Sequence, residues 1–150
     1  MHTVTDINEG LVNRQVSAVV EICTNGQGFF EITAEIKKWI HGKHFIDGLL
    51  TVFCGHTSAS LTIQENADPD VQQDLLEALN RLAPRRDSYR HHYEGPDDMP
   101  AHIRTVLTGS SLSVPVSCGK LTLGTWQGVY LIEHRDATHR RNIILQFIGC

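Results

Sequence analysis

The strongest candidate for a membrane-crossing segment is Gly48–Cys54 (GLLTVFC), which is long enough only for a strand. A spanning helix needs about 20 apolar residues. Near-continuous hydrophobicity over a strand's length predicts a central strand covered on both faces. The chain must therefore build sheet layers around its own core. Val16–Thr24, Phe29–Ile32, Ser60–Gln64, Ser111–Val116, Lys120–Leu123, Gly128–Arg135 and Asn142–Ile148 are β-branched or alternating and supply the neighbours. Asn25-Gly26 reads as the turn after the first.

Two main helices interrupt these strands. Thr33 is placed to cap Ala34–Ile40, whose Ile36, Trp39 and Ile40 share a face before Gly42 stops the helix. Asp68 is a good N-cap and Pro69 suits the first helical position. Val71, Leu75, Leu79 and Leu82 then recur at near-helical spacing, until Pro84 ends the segment. A short helix from Pro100 to Leu107 ends at Gly109. Without strict β-α-β alternation, this order predicts an α+β fold with largely antiparallel sheets.

The 150 residues fit one domain, with residues 1–14 expected as a loosely packed N-terminal segment. A net charge of −4 offers no field for nucleic acid or an anionic membrane, so neither is an expected partner. The one basic cluster, Arg135–Arg141 (RDATHRR), contains no aromatic residue and reads as a hairpin tip. Cysteines at 23, 54, 118 and 150 form no C-x-x-C pair, which argues against a zinc ribbon or redox motif. They read as reduced thiols of a cytoplasmic protein, and MHTVTDINEG lacks the pattern of a secretory signal.

Polar residues gather in four places. His56-Thr57-Ser58 follows one predicted strand and Glu65-Asn66-Ala67-Asp68 the next; a hairpin of the two strands would put both groups near its ends. An imidazole with hydroxyls there can bind an oxyanion or a ring nitrogen, or Thr57 and Ser58 can simply shape a turn while Asp68 caps its helix. Arg85–Pro100 (RRDSYRHHYEGPDDMP) is long and without periodicity, as functional loops often are. With His102 it offers His91, Asp97 and Asp98 either to zinc or, through the aspartates, to Mg²⁺; a solvated acidic loop is the bland alternative. Gly124–Gly128 (GTWQG) presents Trp126 and Gln127, able to stack on and read a flat heterocycle, unless Trp126 is a core residue at a sheet corner. Glu133, Arg135, Arg140 and Arg141 suit a diphosphate clamp or surface ion pairs. His2, His41 and His44 lie in polar, loop-like surroundings that suggest no role.

The stretches HTSASLTIQENADPDV (56–71), YRHHYEGPDDMPAHI (89–103), SLSVPVSCGKLTLGTWQGVYL (111–131) and EHR (133–135) resemble the YjbQ family in order and spacing. The likeness extends over about residues 15–149. It implies an α+β fold of two sheets as a sandwich, assembled as a homotrimer with sites near subunit boundaries. It also implies a secondary thiamine-phosphate synthase activity, joining hydroxymethylpyrimidine diphosphate to thiazole phosphate; a zinc-dependent hydrolase or a non-catalytic metabolite-binding trimer is the alternative. Its polar positions fall on His56, Ser58, Glu65, Asp98 and His102 as candidate catalytic groups. Thr57, Asn66, Asp68, Asp97, Trp126, Gln127 and Glu133 are candidates for holding the phosphorylated heterocycle, with Arg135 and Arg141 added as the clamp. A divalent metal, Mg²⁺ or zinc, is the expected cofactor, with His56, His91 and His102 as the zinc set.

Overall fold

Alternation along Arg14–Asn25 makes β1, whose Val16, Ala18, Val20 and Ile22 turn to the core. A computed structural model describes residues 2–5 and 9–150; Met1 and residues 6–8, part of the segment expected to pack loosely, lie outside the described residues. β1 pairs along its whole length with β8 (Thr138–Gly149), antiparallel, from Arg14↔Gly149 to Asn25↔Thr138. β8 pairs on its other edge with β3 (Gly48–Cys54), β3 with β5 (Ser111–Ser117), and β5 with the short β6 (Lys120–Leu121). A second antiparallel sheet holds β7 (Gln127–Glu133) between β2 (Gly28–Glu31) and β4 (Ala59–Glu65).

The sheets share one core. Leu50, Val52, Ile143, Leu145 and Phe147 of the larger sheet and Leu61, Val129 and Leu131 of the smaller are all fully buried. Ile36 and Ile40 of α1 (Thr33–Gly42) join them. α2 (Pro69–Leu82) and α3 (Asp98–Thr108) reach the other face of the small sheet, where Gln72 donates to the Tyr130 hydroxyl and Thr108 meets Ser60. This is the expected α+β sandwich with mostly antiparallel strands, two main helices and a third, α3, that runs longer than the short one expected.

Several local expectations are corrected. β3 is central in its sheet but covered on one face only: Leu49 and Phe53 on the outer face are 45% and 41% exposed. The strand buried on both faces is β7, because α2 and α3 cover the outside of the small sheet and, among the described residues, no helix or strand covers the outside of the large one. β3 and β4 do not form a hairpin, and neither do β7 and β8; each pair is split between sheets. Thr33 does not cap α1. Its hydroxyl donates to Glu31 Oε1 at 2.8 Å and accepts from Val129 N–H at 2.8 Å, tying the helix start to β2 and β7.

Gly42 is the last helical residue and not the stop signal. The left-handed residue is His44, at φ 53°, and the turn closes through His44 N–H to His41 O at 3.1 Å and Phe45 N–H to Ile40 O at 3.3 Å. That is a Schellman motif, complete with its apolar contact partners, but with histidine where glycine is usual. α3 starts two residues earlier than expected, at Asp98, so the acidic pair lies at a helix start instead of in mid-loop. On α2 the stripe is real but only half-buried, and Leu82 is 66% exposed.

Three sheet-to-sheet crossings gather at one end of the sandwich: residues 26–27, 55–58 and 134–137. The register fixes this, since Gly28 and Ala59 both pair with Glu133 while Asn25 pairs with Thr138. Backbone leaving both sheets there forces polar groups close together.

Candidate metal centre

α3 and the preceding loop complete that end. His102, one turn after Asp98, presents Nδ1 to the Thr57 carbonyl oxygen at 2.8 Å. A carbonyl only accepts, so Nδ1 carries the hydrogen and Nε2 is left with a lone pair. That Nε2 lies 3.4 Å from Asp98 Oδ2, and His91 Nε2 reaches the same oxygen at 2.7 Å. One donor atom from each of His91, Asp98 and His102 falls within 4.8 Å of the others. Asp98 is 1% exposed and His91 is open to solvent, so the set is anchored from below and accessible from above.

Two acceptors facing each other at 3.4 Å in a buried corner call for a cation or a proton between them. Two imidazoles and one carboxylate suit zinc or iron better than Mg²⁺, which prefers oxygen ligands. Ring orientation set by a carbonyl is the outer-shell support typical of metal-binding histidines. The donor set therefore fits a transition metal.

His56 lies outside this set. Its Nε2 accepts from Asn142 N–H at 3.0 Å, and burial with the nearby Arg141 cation holds its pKa below the ordinary imidazole value. The place assigned to His56 in the metal set belongs to Asp98, brought there by the earlier helix start.

The arginines are also committed. Arg135 donates from Nε to Asp97 Oδ2 at 2.9 Å, from Nη1 to Asp98 Oδ1, and from Nη2 to Glu94 O at 2.9 Å. It pins the loop and orients Asp98 instead of facing a phosphate. Burial pushes the Asp97 carboxyl upward, but hydrogen bonds from Asp136 N–H and Arg135 outweigh it and leave its pKa lowered. Each carboxylate expected to hold Mg²⁺ thus gives one oxygen to Arg135: Asp97 its Oδ2, which also accepts from Asp136 N–H, and Asp98 its Oδ1.

Beneath the centre, Glu133 is fully buried, as strand alternation with Val129 and Leu131 predicts. Its carboxylate accepts four hydrogen bonds, from Thr24 Oγ1 (2.8 Å), Arg141 Nε (2.7 Å), Arg141 Nη2 (2.6 Å) and Arg135 N–H (3.0 Å). Arg141 adds Ser58 Oγ at 3.2 Å. Glu133 and Arg141, expected to touch substrate, instead lock the crossings 55–58 and 134–137 to the large sheet. Ser58 is half-buried and oriented by this pair; the Thr57 carbonyl, not its hydroxyl, holds His102.

The remaining candidates lie elsewhere. Glu65 pairs with Gln127 at the far end of the β4–β7 ladder from Ala59↔Glu133. At about 3.3 Å per residue that separates the two groups by roughly 20 Å. There Asn66 N–H donates to Trp126 O at 3.0 Å, Gln127 Oε1 accepts from Gly124 N–H at 2.8 Å, and Trp126 is 64% exposed, not a core residue. Asp68 caps α2 through Asp70 N–H at 2.9 Å. Within one chain these five residues do not meet the histidines.

Sequence reasoning passed over a buried polar layer under α3. Arg104, 1% exposed, donates to Ala83 O at 2.9 Å, with His134 O at 3.5 Å, and its Nε has no partner. His134 Nε2 meets Ser60 Oγ at 2.8 Å, and burial drives its pKa down to about 3, so it stays neutral. The available signal was a charge on the helix face shared by Ala101 and Thr108, where spacing predicts contact with the sheet.

The comparisons show the family and the fold. The YjbQ family model, described as "UPF0047 protein YjbQ-like", matches residues 18–150. The chain belongs to the YjbQ/UPF0047 family. It is 46% identical over 146 residues to UPF0047 protein sll1880 of Synechocystis, covering 95% of this chain and 98% of that one. To the YjbQ protein of Salmonella typhimurium it is 45% identical, with 82% and 90% covered. A crystal structure of a YjbQ/UPF0047 protein from Clostridium acetobutylicum superposes with a TM-score of 0.76 at 39% identity, covering 88% and 98%. A YbjQ-like protein of unknown function from Sulfolobus solfataricus shares the fold, with a TM-score of 0.81 at 20% identity, covering 91% and 100%. Among the described residues no helix is long and apolar enough to cross a membrane.

Proposed function

We propose that this family member is a metal-dependent enzyme acting on a small phosphorylated heterocycle, with the metal held by His91, Asp98 and His102. The supporting observation is His102, whose Nδ1–H is committed to Thr57 O so that Nε2 faces Asp98 Oδ2 and His91. Bound there, a divalent cation supplies Lewis acidity and neutralises a phosphate's charge. Arg135 holds Asp98 and the loop in place, while Glu133 and Arg141 fix Ser58 and the Thr57 carbonyl.

The likeness to YjbQ proteins supplies the substrate class. In the thiamine-phosphate synthase reaction it implies, the thiazole nitrogen bonds to the pyrimidine methylene carbon as the carbon–oxygen bond to diphosphate breaks. The electron pair leaves with diphosphate. A zinc-dependent hydrolase is the second reading, favoured by the two-imidazole, one-carboxylate donor set.

The homotrimer implied by the family finds support on the outer face of the large sheet. Register aligns Val19, Ile144 and Phe53 in one row and Ile148 with Leu49 in another. All five are between 39% and 63% exposed, giving two apolar rows with the polar row Ser17, Gln146 and Thr51 between them, a mixed surface of the kind an assembly covers. Assembly is the route by which Trp126 and Gln127 of a neighbour reach this chain's histidines.

Elemental analysis of the purified protein and of His102→Ala tests the metal reading. About one transition-metal ion per chain, lost in the variant, is expected. Equal metal content in both sinks it. Assay of metal-loaded protein with hydroxymethylpyrimidine diphosphate and thiazole phosphate then separates transfer, which forms thiamine phosphate, from hydrolysis, which releases phosphate without it.

A further inference from the structure

A second site opens at the end of the sandwich away from the histidines. β3 runs from Gly48 there to Cys54 at the crossings, so about 20 Å of strand separates the two. A groove of about 870 Å³ lies between the end of α1 and the β5–β6 turn. That is large enough for a metabolite-sized ligand. Ile40, Phe45, Ile46 and Leu121 form its apolar floor. Lys37, His41, His44 and Lys120 rise around them, all exposed, and among the described residues no carboxylate lines the groove. Asp47 stands behind the turn with Oδ1 accepting from Cys118 N–H at 2.9 Å.

The backbone singles out the same place. Among the described residues only His44 (φ 53°) and Cys118 (φ 50°) are left-handed without being glycine, and both line this groove. His44 occupies the glycine position of the α1 Schellman turn. Cys118 occupies the first central position of a two-residue hairpin turn, Ser117↔Lys120, whose second residue Gly119 is at φ 72°. Asparagine, aspartate or glycine is the usual choice there. Such strain clusters where side chains are retained for function. Two unrelated turns each keep a costly side chain, and both side chains border one cavity.

The geometry points to a binding site for a small amphipathic anion: a flat apolar body resting on Ile46 and Leu121, with its anionic group met by Lys37, Lys120 and the two histidines. Two lysines and two imidazoles over an apolar floor select a ligand with both characters, since a fully hydrated anion gains nothing from the floor. A neutral aromatic, in turn, gains nothing from the rim. This site does not depend on the metal reading.

The test uses 2-naphthoate as the probe and the full-length protein. Iodoacetamide alkylation of each cysteine is followed by peptide mass spectrometry. Saturating 2-naphthoate should slow alkylation of Cys118 about tenfold while leaving Cys23, which is exposed on β1, unchanged. K37E/K120E should weaken that protection about tenfold, and neutral 2-naphthamide should protect little. K37Q/K120Q serves if the charge reversal does not fold. Unchanged Cys118 reactivity, equal protection of Cys23, or equal protection by the amide would each overturn the proposal.

Discussion

Glu133→Gln tests the buried framework beneath the histidines. Glu133 is 0% exposed and Arg141 4%, and the carboxylate supplies both of Arg141's charged contacts. The substitution keeps the shape and one acceptor oxygen, but removes the negative charge opposite the guanidinium and turns the other acceptor into an NH2 donor. Removing one member of a buried pair costs about 3–5 kcal/mol, much of it from the uncompensated charge. With a urea slope of about 2 kcal/mol/M, the unfolding midpoint should fall by roughly 2 M. E133Q/R141M removes the stranded charge and should recover more than half of that loss. The pH dependence has a definite sign. Burial pushes the Glu133 pKa up, but Arg141, Arg135 N–H and Thr24 outweigh it and hold the pKa below the ordinary 4.5. A depressed carboxylate contributes stability that is present above that value and lost as pH falls through the folded pKa. The gap between wild type and E133Q should therefore be full at pH 7 and narrow once pH drops below 4.5. A midpoint shift under about 0.3 M at pH 7, or a gap independent of pH, would refute the reasoning.

Other outcomes follow from single contacts. Asp68→Ala should cost about 1 kcal/mol by leaving Asp70 N–H uncapped, measured by urea unfolding. Gly149→Ala should cost about 3 kcal/mol or more, because its Cβ would stand 2.1 Å from the Asp47 carbonyl and 2.7 Å from Gly48 Cα, and backbone cannot step aside. His44→Gly should stabilise the fold by about 1 kcal/mol, a rise of some 2–4 °C in Tm, by relieving the left-handed histidine. Phe53→Asp with Ile144→Lys should convert the proposed trimer to monomer in light scattering; an unchanged mass would move the interface elsewhere.

Which residues make strands and helices was legible in the sequence, because those signals are local. Alternation in β1, the Asp68-Pro69 start of α2 and the break at Pro84 each depend on residues within a turn or two. The grouping of the α+β layers was legible too, from the order of elements. What each strand is covered by was not: β3 and β7 both read as apolar, and only the placement of α2 and α3 decided that β7 is buried twice. The His91, Asp98 and His102 residue types stood out as candidates, yet Pro100 was read as the opening of α3, which hid the turn that brings Asp98 under His102. His56 was set among the ligands because the resemblance makes it a polar position of the site, although the fold hands its Nε2 to Asn142. Arg135 and Arg141 looked like phosphate ligands because a guanidinium's chemistry is visible in sequence, while its partner is a property of the fold. Sequence thus determined the elements and the chemistry available, since these are set by neighbours along the chain. Tertiary structure decided which carboxylates the arginines consumed and which imidazoles remained open, because those pairings reach 38 positions along the chain for Arg135 and Asp97 and 86 for His56 and Asn142.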